Sequence, residues 1–133
     1  MVEPFLNLKG KSSEAIIFYE NIFGGVDKKV MAFSDMPTDP NHPIPEHMKT
    51  WIAHAEMSIR GTVFHFSDTQ PDALANGMIS LMLRFDTVDE LMEMYHKLID
   101  GGVALMEPEP QFYAKLFGWV RDKFDIDWQL ICE

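Results

Sequence analysis

Between Ile79 and Val103 the spacing of apolar residues changes once, and the change marks a strand followed by a helix. Ile79, Leu81, Leu83 and Phe85 alternate with Ser80, Met82 and Arg84, the period of two that suits a strand with one buried face. Leu91, Met92, Tyr95, Leu98 and Ile99 then recur at the three-to-four spacing of a helix lying on a sheet. Gly101-Gly102 stops the helix, and a second apolar run begins. The same pattern occurs earlier in the chain, where the helix positions fall on Ala15, Ile16, Tyr19, Ile22 and Phe23. Glu90 then matches Glu14, Met94 matches Phe18, and the glycine pair matches Gly24-Gly25 once Asp100 is taken as an insertion. The chain reads as two copies of one module.

Taken in order, Phe5, Leu6 and Leu8 predict a short first strand, and Ser12 or Ser13 is placed to cap the helix that follows. Gly24 or Gly25 supplies the left-handed stop, and residues 26–33 read as a strand. Residues 35–49 carry Pro37, Pro40, Pro43 and Pro45 and predict a loop, either a lid over a cleft or plain surface. From Trp51 to Ile59 the residues alternate, with Trp51, Ala53, Ala55, Met57 and Ile59 on one face and Ile52, His54, Glu56 and Ser58 on the other. Arg60-Gly61 is a tight turn, and the return strand over 62–68 puts Val63, His65 and Ser67 on one face. A polar connector with Pro71 leads to the second module. There Thr87 and Glu90 have the spacing of a capping box. Strands are expected at 103–106, 115–120 and 126–131, a Pro-containing loop at 107–113 and a turn at 122–125. Each module is strand–helix–strand–strand–strand, which predicts an α+β fold with antiparallel-rich sheets, module 1 over about residues 1–70 and module 2 over about 77–133.

Composition narrows the functions open to such a fold. The 133 residues carry a net charge of −10, which argues against a nucleic-acid surface and against anionic membranes. Cys132 is the sole cysteine, so no intrachain disulfide forms, a cytoplasmic setting is expected, and the thiol at the end of an apolar strand reads as buried and inert. No apolar run reaches membrane-spanning length and Met1-Val2-Glu3-Pro4 has no basic leader, so neither anchor nor signal peptide is expected. Both glycine pairs follow helices, so no phosphate-cradling loop is present, and no Gly-x-Ser-x-Gly elbow occurs.

Several stretches resemble the PhnB-like group of the vicinal oxygen chelate superfamily, which includes glyoxalase I, bleomycin-resistance proteins and extradiol dioxygenases. They are Pro4-Phe5-Leu6-Asn7-Leu8 with Ala15-Ile16-Ile17-Phe18-Tyr19 and Phe23-Gly24, then His54-Ala55-Glu56-Met57-Ser58-Ile59, Phe66-Ser67-Asp68, and Asp122-Lys123-Phe124 before Trp128. The resemblance runs the length of the chain, with one departure: Asp125 stands where the group usually has glycine. It implies two cupped sheets around a cleft, often in a homodimer. In metal-using relatives four ligands line that cleft, and their positions fall here on Pro4, His65, Ser80 and Gln129. Divalent metals want imidazole or carboxylate donors, so only His65 is competent and the usual metal site is dismantled.

The remaining candidates carry two readings each. His65 is a cleft-facing general base or a structural histidine. His54 and Glu56, two apart on one strand face, can share a proton or a ligand atom, or form a solvated polar stripe. Trp51, Trp119, Trp128 and Tyr113 can wall a pocket or fill the core. His42 and His47 lie in the Pro-rich loop, and His96 sits among polar residues on a helix. The expected function is binding of a small organic ligand by a homodimer, through Trp51, His54, His65, Trp119 and Gln129, with no cofactor. The alternative is a metal-dependent lyase, isomerase or dioxygenase-like enzyme using His65 with Glu56 or Gln129.

Overall fold

The computed structural model describes residues 1–69, 74–75 and 77–133. The chain divides into two compact units, Met1–Ala73 and Leu74–Glu133. In the first, β1 (Phe5–Asn7), α1 (Ser12–Phe23), β2 (Val26–Ala32), β3 (Ile52–Ile59) and β4 (Thr62–Ser67) follow one another. In the second, β5 (Leu81–Arg84), α2 (Val88–Leu98), β6 (Val103–Gln111), β7 (Ala114–Arg121) and β8 (Asp127–Cys132) repeat that order. The sheets have matching strand orders, β1-β4-β3-β2 and β5-β8-β7-β6. In each, the first strand lies parallel to the last and the remaining pairs are antiparallel. The fold is therefore α+β with two βαβββ modules, as the repeated pattern predicts.

Each helix covers one face of its own sheet. Ala15, Ile16 and Tyr19 of α1 are buried, and the Tyr19 ring lies 6.1 Å from that of Phe66. Ala55, Met57, Ile59, Phe64 and Phe66 supply the sheet side of that core. In the second unit Leu91 and Leu98 of α2 are buried, as are Val120, Trp128, Leu130 and Cys132. Trp128 is thus core rather than pocket wall, and the Cys132 thiol is buried as expected. Both helices end on a left-handed glycine, Gly24 (φ 64°) directly and Gly101 (φ 74°) after the inserted Asp100, because glycine alone enters that region without a Cβ penalty.

Four local expectations need correction. Neither Ser12 nor Ser13 is the cap of α1: Lys11 occupies that position with no side-chain bond, and Ser12 is buried inside the first turn. Its place is taken by Asp68, whose Oδ1 accepts from the Gly10 and Ser12 amides and the Ser12 hydroxyl at 2.8, 3.2 and 2.8 Å. Ile52 does not share a face with His54. An extra residue on β3 opposite Met31–Ala32 breaks the alternation, and Ile52 is buried. Residues 107–111 are strand rather than loop, with Pro108 and Pro110 inside β6. β6 is an outer strand paired, among the described residues, with β7 alone, and its irregular register accommodates residues that lack an amide. Ile79 precedes β5 and is 78% exposed, so that alternation starts at Leu81. Thr87 does cap α2, its Oγ1 accepting from the Glu90 amide at 3.2 Å. The Pro71 part of the connector lies outside the described residues.

Asp125 keeps the turn that glycine would make. It adopts φ 66° between β7 and β8 and donates its amide to the Asp122 carbonyl at 3.0 Å. A residue with a Cβ is disfavoured there, so Asp125→Gly is expected to stabilise the chain by about 0.5–1 kcal/mol. Urea unfolding measures this, and an unchanged or lower midpoint refutes it.

Candidate functional site

The face of the first sheet turned away from α1 carries polar chemistry. On β4 the residues Phe64 and Phe66 face the helix, so His65 points the other way. On β3 the alternation of buried Ala55, Met57 and Ile59 sends His54, Glu56 and Ser58 to the same side as His65. Arg60 (φ 51°) and Gly61 (φ 85°) make a two-residue turn that pairs Ile59 with Thr62, and that register sets Glu56 opposite His65. The parallel pairing of β1 with β4 sets Phe5 on the other side of His65 and Asn7 beside Ser67.

His65 is engaged at both ring nitrogens. Its Nδ1 lies 3.0 Å from His54 Nε2, and its Nε2 lies 2.9 Å from Glu3 Oε1. A carboxylate only accepts, so a neutral His65 donates from Nε2 to Glu3 and receives at Nδ1 the Nε2 proton of His54. Glu56 Oε2 stands 3.9 Å from His65 Nδ1, while its Oε1 takes Lys29 Nζ at 3.3 Å. The Phe5 ring stacks on His65 at 6.0 Å and 9°. The His65 side chain is 20% exposed, and those of Glu56 and Glu3 are 28% and 29%. These groups are reached by solvent but not bathed in it. Beside them the Asn7 side-chain oxygen is buried with no hydrogen-bond partner among the described residues.

One atom from each of His54, Glu56 and His65 falls within 4.8 Å of the others. The structure thus brings together three of the residues the sequence singles out. Trp51 lies just before β3, edge-on to His47 at 5.5 Å, and its indole rests on Gly10, where an added Cβ would come within 2.8 Å of it. Trp119 and Gln129 belong to the second unit, side by side on β7 and β8. Gln129 Nε2 donates to Ser80 Oγ at 2.9 Å, and the Trp119 indole nitrogen is buried without a partner among the described residues. Arg121 lies along the same face, bound twice by Asp127 at 2.7 and 3.0 Å, which holds its guanidinium above its ordinary pKa. Of the other histidines, His42 pairs with Asp39 and His96 is exposed on α2.

Glu3, Phe5, Asn7 and Lys29 complete the first face, and none of them carries a local sequence signal for a site. The Glu56–His65 pairing is readable from the two-residue turn, but the neighbours on β1 depend on a parallel register set across nearly sixty residues of chain. The donor set for the superfamily's usual metal does not fit. Pro4 spends its carbonyl on the His65 amide at 2.9 Å, Ser80 and Gln129 bind one another, and only His65 offers a competent ligand atom.

A family described as 3-demethylubiquinone-9 3-methyltransferase has a model that matches residues 1–131. Protein YjdN of Escherichia coli (strain K12) is 30% identical over 136 residues, covering 97% of this chain and 92% of that protein. A putative 3-demethylubiquinone-9 3-methyltransferase, PhnB protein, from Bacillus cereus superposes with a TM-score of 0.78 at 27% identity, covering 99% of this chain and 98% of the other. A glyoxalase-related enzyme from Fulvimarina pelagi shares the fold, with a TM-score of 0.63 at 18% identity over 100% of this chain and 88% of its own. With the repeated modules and this match over almost every residue, the chain belongs to the PhnB-like family, the one described as 3-demethylubiquinone-9 3-methyltransferase, and it shares the fold of a glyoxalase-related enzyme.

Proposed function

We propose that the protein binds a small organic ligand on the face of its first sheet turned away from α1, without the superfamily's usual four-residue metal site. The observation that carries this reading is the half-buried row Glu3, His65, His54 and Glu56, flanked by the unpartnered Asn7 oxygen and the half-exposed Phe5 ring. A buried acceptor left without a donor costs about 1–3 kcal/mol, so a ligand that lets the Asn7 side chain turn and accept from its hydroxyl or amine recovers part of that cost. Phe5 offers a flat apolar surface beside it. The single buried thiol fits a reducing cytoplasm, and the fold family suggests a homodimer.

Methyl transfer, the activity in the family's description, finds no support in this chain's turns. The β1–α1 connection holds one glycine, Gly10, rather than a glycine-rich cradle, and the paired glycines follow helices. Catalysis at His65 is favoured by one observation: Glu3 fixes its tautomer and turns the Nδ1 lone pair toward His54 and Glu56.

A thermal-shift screen of small hydroxyl- and amine-bearing compounds tests the binding reading. A compound at 100 times its Kd adds about 2.7 kcal/mol, a rise of roughly 10 °C for a domain of this size. Asn7→Ala and Phe5→Ala are expected to abolish the rise. A compound that shifts the native chain and both variants equally, or a screen with no shift, counts against the site.

A further inference from the structure

We propose that His54, Glu56 and His65 form a binding site for a divalent first-row cation such as Zn²⁺, built wholly within one module and sharing only His65 with the superfamily's four aligned positions. The proposal stands on the geometry of these three side chains and does not depend on an organic ligand. Two imidazoles and one carboxylate are a donor set that such cations take, with the remaining positions left to water or substrate oxygen.

The distances suit it. Around a cation with metal–nitrogen bonds of about 2.0–2.1 Å, adjacent donors lie roughly 3.0–3.4 Å apart. His65 Nδ1 and His54 Nε2 are 3.0 Å apart, already at that separation. Glu56 Oε2 is 3.9 Å from His65 Nδ1, and the broad terminal torsion of glutamate closes such a gap at small cost. The three atoms converge within 4.8 Å. His65 needs no proton rearrangement, because Glu3 already draws the proton to Nε2 and leaves the Nδ1 lone pair facing the other two groups. His54 has only to exchange tautomers, freeing Nε2 as a donor atom. Glu3 is then a positioning residue, the carboxylate that commonly backs a metal-bound histidine. The acidic chain, at −10, favours an approaching cation. Lys29, 3.3 Å from Glu56, is the opposing charge, and at 78% exposure its side chain is free to swing into solvent.

The test is titration of the purified full-length chain with Co²⁺, followed by its visible absorption and by elemental analysis. About one ion per chain is expected, displaced by Zn²⁺. His54→Ala and Glu56→Gln should each weaken binding by at least roughly 100-fold, and Glu3→Gln by about 10- to 100-fold with the stoichiometry kept. Glu56→Gln keeps size and shape, so it decides the matter even where His54→Ala fails to fold. Ser58→Ala, on the same strand face, should bind as the native chain does. The proposal is overturned if the native chain takes up no Co²⁺. It is equally overturned if Glu56→Gln binds unchanged, or if His42→Ala with His47→Ala removes the ion instead.

Discussion

Asp68→Ala is expected to destabilise the chain by about 3–5 kcal/mol, the range for removing one partner of a buried, hydrogen-bonded charge. The carboxylate is 1% exposed and accepts four hydrogen bonds. Oδ1 takes the Gly10 amide, the Ser12 amide and the Ser12 hydroxyl, and Oδ2 takes the Ile52 amide at 3.0 Å. Alanine would leave those donors buried and unsatisfied, and it would remove the negative charge from the positive end of α1. Asp68→Asn keeps one acceptor and turns a donor toward other donors, so it should lose somewhat less. Ser12→Ala removes a single bond and should cost about 1 kcal/mol. Urea unfolding ranks the three variants. Hydrogen exchange locates the effect, with protection lost first at Gly10, Ser12 and Ile52. Equal midpoints for Asp68→Ala and Ser12→Ala would mean that the four-bond clamp contributes no more than its hydroxyl arm.

That clamp also shows where sequence reading stops. The helices were legible because their apolar stripes are local, and so were the stops at Gly24 and Gly101. Capping by a serine beside the helix is the local expectation, and it fails here because the acceptor arrives from the far end of β4. The prolines of β6 argue against a strand in any reading that lacks the sheet order, since only an outer position excuses their missing amides. The site divides in the same way. The shared face of His54 and Glu56 follows from a period of two, and the Arg60-Gly61 turn brings His65 opposite Glu56. Glu3 and Asn7 join through a parallel pairing with no local signal, and so the carboxylate that orients His65 was missed. The break at Ile52 has a similar origin, because a bulge depends on what β2 places opposite it.

In the second unit a different carboxylate does comparable work at a different place, and Asp122→Ala is expected to cost about 3–4 kcal/mol. Asp122 is 2% exposed in the turn between β7 and β8. Its Oδ1 accepts from the amides of Phe124 and Ile126 at 2.8 and 3.1 Å, and its Oδ2 accepts from the indole nitrogen of fully buried Trp128 at 2.9 Å. One side chain thereby shapes the turn, holds Asp125 in its left-handed conformation and ties the start of β8 to the core. Gly102 passes so close that an added Cβ would fall 3.0 Å from the Asp122 Cα, so the surrounding backbone has little room to relax around a truncated side chain. Because α2 has its own cap at Thr87, the loss should be confined to the turn and β8 and should leave the helix start protected. Hydrogen exchange on Asp122→Ala separates the outcomes: protection lost at Phe124 and Ile126 but kept at Glu90 supports this assignment, and uniform loss across the unit refutes it. Pairing the change with Trp128→Phe gives a further check. The indole bond is then absent from both backgrounds, and Asp122→Ala should cost about 1–2 kcal/mol less beside phenylalanine than beside tryptophan.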